Sequence, residues 1–155
     1  MLALAAATAW AQPAVENLSS TSLDGVRTLA QRMVVPAAAE TVWQAWTSAD
    51  ALRTWMAPVV GFELRIGGVL EASYDPAKPL GDPANIRNQV LAYVPGRMLA
   101  MRNINAPPKV PFDVAAFQSL HTVVLIDALG PQSAAVTVVQ PGYGSGEGFD
   151  GVYRF

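Results

Sequence analysis

His121 is the single histidine of the chain, and so the one side chain whose ordinary pKa lies near neutral. It follows a proline-rich loop and opens a strand pattern, a position from which it could reach a cavity mouth as a general base. No residue that would orient it or relay its proton can be picked out, and a solitary histidine is more often structural or simply exposed. Ser145 lies between glycines in Gly144-Ser145-Gly146. Tyr143 stands where a nucleophile elbow requires glycine, and no lysine follows at phosphate-loop spacing. The run therefore reads as the entry to a final helix. Cysteine is absent, which excludes disulfides, thiolate catalysis and thiolate-held zinc. With one histidine, a histidine-rich metal site is excluded as well. No cofactor is expected, and the balance leans away from an enzyme.

Two glutamates form the remaining candidate pair. Phe62-Glu63-Leu64-Arg65-Ile66 alternates strictly, Gly67-Gly68 turns the chain, and Leu70, Ala72 and Tyr74 then alternate with Glu71, Ser73 and Asp75. A two-residue loop pairing Ile66 with Val69 would set Glu71 opposite Leu64. A loop of odd length, with a glycine at positive φ, pairs Leu64 with Leu70 and Glu63 with Glu71. The second register keeps both apolar sets on one face and is the one expected. Glu63 and Glu71 then neighbour each other on the outer face with Arg65 between them. A solvated, Arg-compensated pair is the favoured reading over acid–base work.

Binding is the chemistry that the remaining residues fit better. Small-molecule sites are mostly apolar with a few placed polar groups. Arg87, Gln89, Arg102 and Asn103 lie on two paired central strands, Asn85–Val94 and Arg97–Ile104, joined by a Pro95-Gly96 turn. Alternation alone leaves open whether they face a cavity or solvent. Phe62, Leu64, Tyr74, Met98, Met101, Phe112 and Phe117 are candidates for wall or lid. Methionines suit an adaptable pocket, although ordinary core packing explains them equally well. His121 stands with these at a possible mouth, and Phe149 and Tyr153 open the apolar stripe of the last helix.

The elements that must position these residues follow from the chain in order. A length of 155 residues, apolar in 52% of them, is enough for one domain with a real core. A net charge of -2 and the lack of any Lys/Arg cluster argue against nucleic acid or an anionic membrane surface as partner. Residues 1–11, MLALAAATAWA, carry a small-x-small pattern at Ala9-Trp10-Ala11 and read as a secretory signal segment. Export to the periplasm or medium is therefore expected, with the cytoplasm as the alternative. The run is too short to span a membrane. Residues 12–24 are polar and read as a linker, and the domain is placed at 25–155. Gly25–Val35 alternates as a first strand stopped by Pro36. From Ala38 the period becomes helical: Val42, Ala45, Trp46, Ala49, Leu52, Trp55 and Met56 form one stripe. Thr47-Ser48-Ala49-Asp50 matches a capping box, so Thr47 is expected to cap a second short helix. Trp43, Trp46 and Trp55 are read chiefly as core, with a ligand-facing role as the minor alternative. Two proline-rich loops, Asp75–Ala84 and Asn105–Pro111, alternate with strands up to Gln140, where Pro141-Gly142 breaks the pattern.

Four stretches carry a resemblance: VPAAAETVWQAWTSADALRTWMAP, FELRIGGVLEASY, NQVLAYVPGRMLAMR and PGYGSGEGFDGVYRF. In this order and spacing they resemble the SRPBCC, or START-like, superfamily over Gly25 to Phe155. Within it they look most like the branch related to the C-terminal domain of the activator of the heat-shock ATPase chaperone. The resemblance implies an α+β helix-grip fold. There, a curved antiparallel sheet with two short N-terminal helices wraps a long C-terminal helix and leaves an apolar cavity. Members bind lipids, sterols, polyketides or aromatic molecules in it, a minority are enzymes, and no catalytic residue is shared by all. The family's last helix usually runs several turns further than Phe149, Val152 and Tyr153 allow, so a truncated helix is expected here. An uncovered apolar face of that kind invites homodimerisation. The implied function is binding of a small hydrophobic or aromatic ligand. The alternatives are an enzyme of cyclase, aromatase or hydrolase type and a co-chaperone-like interaction module.

Overall fold

The computed structural model of the chain describes residues 14–105, 118, 120–144 and 149–150. Its strands are β1 (Val15–Asn17), β2 (Ser20–Thr21), β3 (Arg27–Val35), β4 (Val59–Phe62), β5 (Val69–Ser73), β6 (Ile86–Val94), β7 (Met98–Asn105), β8 (His121–Gly130) and β9 (Ser133–Tyr143). They form one sheet in the order β1-β3-β9-β8-β7-β6-β5-β4, with β2 also paired to β3. Every pairing is antiparallel. Helices α1 (Ala39–Thr47) and α2 (Ala49–Trp55) connect β3 to β4, which makes the domain α+β.

The helices lie on one face of the sheet, because their apolar stripe meets the inward residues of the central strands. Val42, Trp43 and Leu52 pack there with Val90, Leu99, Val124, Ile126 and Ala134. Leu52 and Ala134 are completely buried. Glu40 lies in the first turn of α1, where the helix dipole favours an anion. The hinge between the helices is Ser48, whose extended backbone ends α1 and starts α2. Its hydroxyl accepts from the Ala51 N–H at 3.5 Å, a long cap. This corrects the expectation that Thr47 caps α2. The Thr47 hydroxyl donates instead to the Trp43 carbonyl at 2.8 Å, one turn back in α1.

Three other segments differ from their reading in the sequence. Val15–Asn17 and Ser20–Thr21, inside the stretch expected as a linker, are edge strands on β3. Strand β4 ends at Phe62, which lies opposite Leu70, while Glu71 faces Gly61. The register is thus two residues from the expected one, and Glu63 and Glu71 are not cross-strand partners. The apolar set still shares a face, since a shift of two preserves it. Local bonding causes the shift. The Arg65 N–H donates to the Glu63 carbonyl at 2.9 Å, and the Gly67 N–H donates to Val90 of β6 at 2.9 Å. The alternating pentapeptide therefore closes a turn rather than extending a strand. Gly67 has φ 79°, and a Cβ on Gly68 would collide with the Glu63 and Arg65 carbonyls. Strand β9 also runs past Pro141 to Tyr143. Gly142, at φ 102°, takes up the register shift between Thr28–Pro141 and Arg27–Tyr143.

Glu71 organises the proline-rich loop after β5. Its Oε1 accepts from Asn85 Nδ2 at 2.7 Å and from the Gly81 N–H at 2.6 Å. Its Oε2 is 3.3 Å from Arg87 Nε. Burial works to raise the Glu71 carboxyl, but the bonds from Asn85, Gly81 and Arg87 outweigh it and hold the pKa below the usual value. The expected carboxylate pair is therefore a structural clamp on one carboxylate.

Candidate functional site

Helices α1 and α2 cover only part of their face of the sheet. Along β3 and β9, the registered pairs Gln31–Val138 and Met33–Val136 point toward the same side as the core pair Val35–Ala134. Beside α1 they floor an open cleft of about 430 Å³, walled by Thr41, Ala45, Trp46 and Trp55. A second cleft of about 270 Å³ lies over β5–β9 and is lined by Met56, Leu70, Met101, Leu120 and others. Trp46 and Val138 line both, so the two clefts meet at these side chains. The Trp55 ring meets the Trp46 ring edge-on at 4.9 Å, and its Nε1 donates to the Ala45 carbonyl at 3.0 Å. Two indoles thus form one aromatic wall, while Trp43 is buried in the core.

The second cleft carries a polar strip but, among the described residues, no Asp, Glu, Lys or Arg. Asn88, Asn103, Thr122 and Gln140 line it from four strands. Gln140 Nε2 donates to the Thr122 hydroxyl at 3.1 Å, and the Tyr143 hydroxyl donates to Gln140 Oε1 at 3.0 Å. Asn88 and Asn103 are partners in the β6–β7 register. Asn103 is 6% exposed, and its Oδ1 meets no hydrogen-bond donor among the described residues.

The residues singled out in the sequence separate between faces. Met101 and Tyr74 line the second cleft, Met101 buried and Tyr74 at the rim. Phe62 and Leu64 pack against the core from the β4 side. Gln89, Arg102 and His121 occupy successive registered positions across β6, β7 and β8. The residues that alternate with them, Met101 and Thr122, line the cleft, so this row faces the opposite side. There Arg102 donates to Gln89 Oε1 at 3.0 Å. Met98 lies opposite Leu125 on that outer face too. Arg87 also belongs there, tied to Glu71 and to the Asp82 carbonyl. Phe149 is half-buried, with its ring against Gly144. Phe149 and Asp150 are helical. Phe112, Phe117, Tyr153, Ser145 and the expected signal segment lie outside the described residues.

Asn88, Thr122 and Gln140 were missed as lining residues. The signal that finds them is parity with a buried neighbour: Asn103 and Met101 share a face, and so do Thr122 and Val124. Trp46 was legible as part of the helical stripe, but its place between two clefts depends on how far the helices cover the sheet. No helix among the described residues is long and apolar enough to cross a membrane.

Comparison with known proteins defines the relationship. The solution structure of the Aha1 dimer from Colwellia psychrerythraea is similar with TM-score 0.60 at 13% identity, over 81% of this chain and 84% of that one. CalU16 from Micromonospora echinospora is similar with TM-score 0.57 at 17% identity, over 83% and 71%. Norcoclaurine synthase from Thalictrum flavum, solved with dopamine and hydroxybenzaldehyde, gives TM-score 0.52 at 10% identity, over 75% and 68%. At such identities the likeness is one of fold. No curated protein sequence matches the chain. The family model described as Activator of Hsp90 ATPase homolog 1-like protein matches residues 36–153, from the proline that ends β3 to beyond Phe149. That span is most of the chain and contains α1, α2 and β4 to β9; the chain belongs to this family, within the START-like superfamily.

Proposed function

We propose that the chain binds a small hydrophobic or aromatic molecule on the helix-bearing face of its sheet. The observation that carries this reading is the pair of mainly apolar clefts that meet at Trp46 and Val138. The larger alone, about 430 Å³, falls in the range of roughly 300–1,000 Å³ usual for small-molecule sites. The complex of norcoclaurine synthase with two aromatic molecules offers fold-level support. Native mass spectrometry and thermal shift with a panel of lipids and aromatic compounds test it. Bound species and a raised Tm are expected, and Trp46→Ala should weaken the best ligand about tenfold, the effect of losing one aromatic wall. No bound species and no shift across the panel would sink the reading.

The family description favours a second reading, a co-chaperone-like interaction module. Export, which the first eleven residues motivate, would separate the chain from a cytosolic chaperone, so cell fractionation discriminates the two. A homodimer is part of the first reading, supported by the dimeric Colwellia structure.

A further inference from the structure

A buried carboxamide without a partner is costly, because it has lost its water and gained nothing in return. Asn103 is such a group. The residue is 6% exposed, lines the second cleft, and leaves its buried Oδ1 without a donor among the described residues. Its neighbour across the β6–β7 ladder, Asn88, lines the same cleft. Neither side chain makes a hydrogen bond among the described residues, whereas Thr122 and Gln140 on the next strands satisfy one another. Two free carboxamides side by side offer both acceptors and donors. Around them the lining is apolar, from Leu70, Ile86, Met101 and Leu120, and holds no ionised side chain among the described residues.

We infer that the ligand is a neutral amphiphile. Its apolar body lies against Trp46 and Met56, and an uncharged hydroxyl or amide group pairs with Asn103 and Asn88. This rests on the ligand-binding reading above and specifies its chemistry. A purely apolar ligand would leave both amides unpaired under its own surface. A carboxylate would be buried with no cation beside it among the described lining residues, which costs more than the two amides return. A hydroxyl both donates to Asn103 Oδ1 and accepts from a carboxamide N–H.

Equilibrium dialysis of the full chain with naphthalene, 2-naphthol and 2-naphthoate separates the possibilities. All three share one apolar body. Wild type is expected to hold 2-naphthol about tenfold more tightly than naphthalene, the effect of about one satisfied hydrogen bond in a dry site. It should hold 2-naphthoate no better than naphthalene. Asn103→Leu should bring the naphthol preference to within about twofold while keeping naphthalene, and should raise the Tm of the free protein by about 2–4 °C. Should Asn103→Leu fail to fold, Asn88→Leu and the wild-type ratio decide. Equal binding of naphthalene and 2-naphthol by wild type overturns the inference and leaves the binding reading standing. So does a preference that survives both substitutions, or tightest binding of 2-naphthoate. A lower Tm in Asn103→Leu means that the amide is partnered in the folded protein, and also overturns it. Binding of none of the three removes the inference together with the reading beneath it.

Discussion

Replacing Glu71 with glutamine isolates the charge of one side chain while nearly preserving its shape. The carboxylate is 15% exposed and accepts from Asn85, from the Gly81 N–H and from Arg87. Glutamine keeps one acceptor oxygen for Asn85 and Gly81. It places an NH2 where Oε2 faced Arg87 Nε at 3.3 Å, so two donors then oppose each other. A hydrogen bond to an ionised group contributes about 1.5–3 kcal/mol and a neutral one about 1 kcal/mol. Two bonds become neutral and the third is lost, with solvent access at Arg87 reducing the effect, so Glu71→Gln should cost about 2 kcal/mol. For a domain of this size that lowers Tm by about 4–8 °C. The pH dependence fixes the cause. The folded pKa lies below the ordinary 4.5, so the folded state binds fewer protons than the unfolded one in that region. The stabilisation is therefore complete above 4.5 and is lost as the pH falls through the lower, folded value. Urea denaturation of wild type and variant at about pH 7 and about pH 3 should show a gap that narrows in acid. A gap unchanged in acid would refute the charge-based account, and no gap at neutral pH would refute the clamp itself.

Two more substitutions test the local geometry. Gly68→Ala must push a methyl group toward the Glu63 and Arg65 carbonyls, the latter 2.9 Å from the Cβ position, so a loss of about 2–3 kcal/mol is expected by chemical denaturation. A loss under about 0.5 kcal/mol would show that the turn opens freely. Ser48→Ala removes a cap that reaches Ala51 only at 3.5 Å, and should cost about 0.5 kcal/mol, the lower end for N-caps. A cost near 2 kcal/mol would mean that the hydroxyl caps the helix more closely than this distance implies.

The fold was legible wherever period and punctuation agreed. The stripe from Val42 to Met56 and the alternation of β6 to β9 each point to one face, and Pro36 and Pro95-Gly96 mark real ends. The misreadings have local causes. Glu63 to Gly68 alternates like a strand but closes a turn, because backbone bonding to Val90 outcompetes the hairpin. Val15 to Thr21 is mostly polar, with strand formers only at its two ends, and pairing with β3 orders it. The site was harder to read than the fold. Arg87, Gln89 and Arg102 were conspicuous because they are charged or long, and these same properties suit them to the outer face. Asn103 was singled out with them and does line the cleft, whereas Asn88 was passed over although it alternates with Ile86 and Val90 on the inward face of β6.

The pairing of β3 with β9 has a consequence for how the chain assembles. Arg27 donates to the Gly144 carbonyl and to Asp150, 117 and 123 positions away. Closing so long a loop costs entropy before any contact repays it, which places this seam late in folding. During synthesis β3 emerges among the first strands and β9 last. One edge of β3 is occupied almost at once, because β1 and β2 lie only a few residues upstream. Its other edge waits for nearly the whole chain. Until β9 arrives, that open row of backbone groups is where a nascent molecule is most exposed to pairing with another.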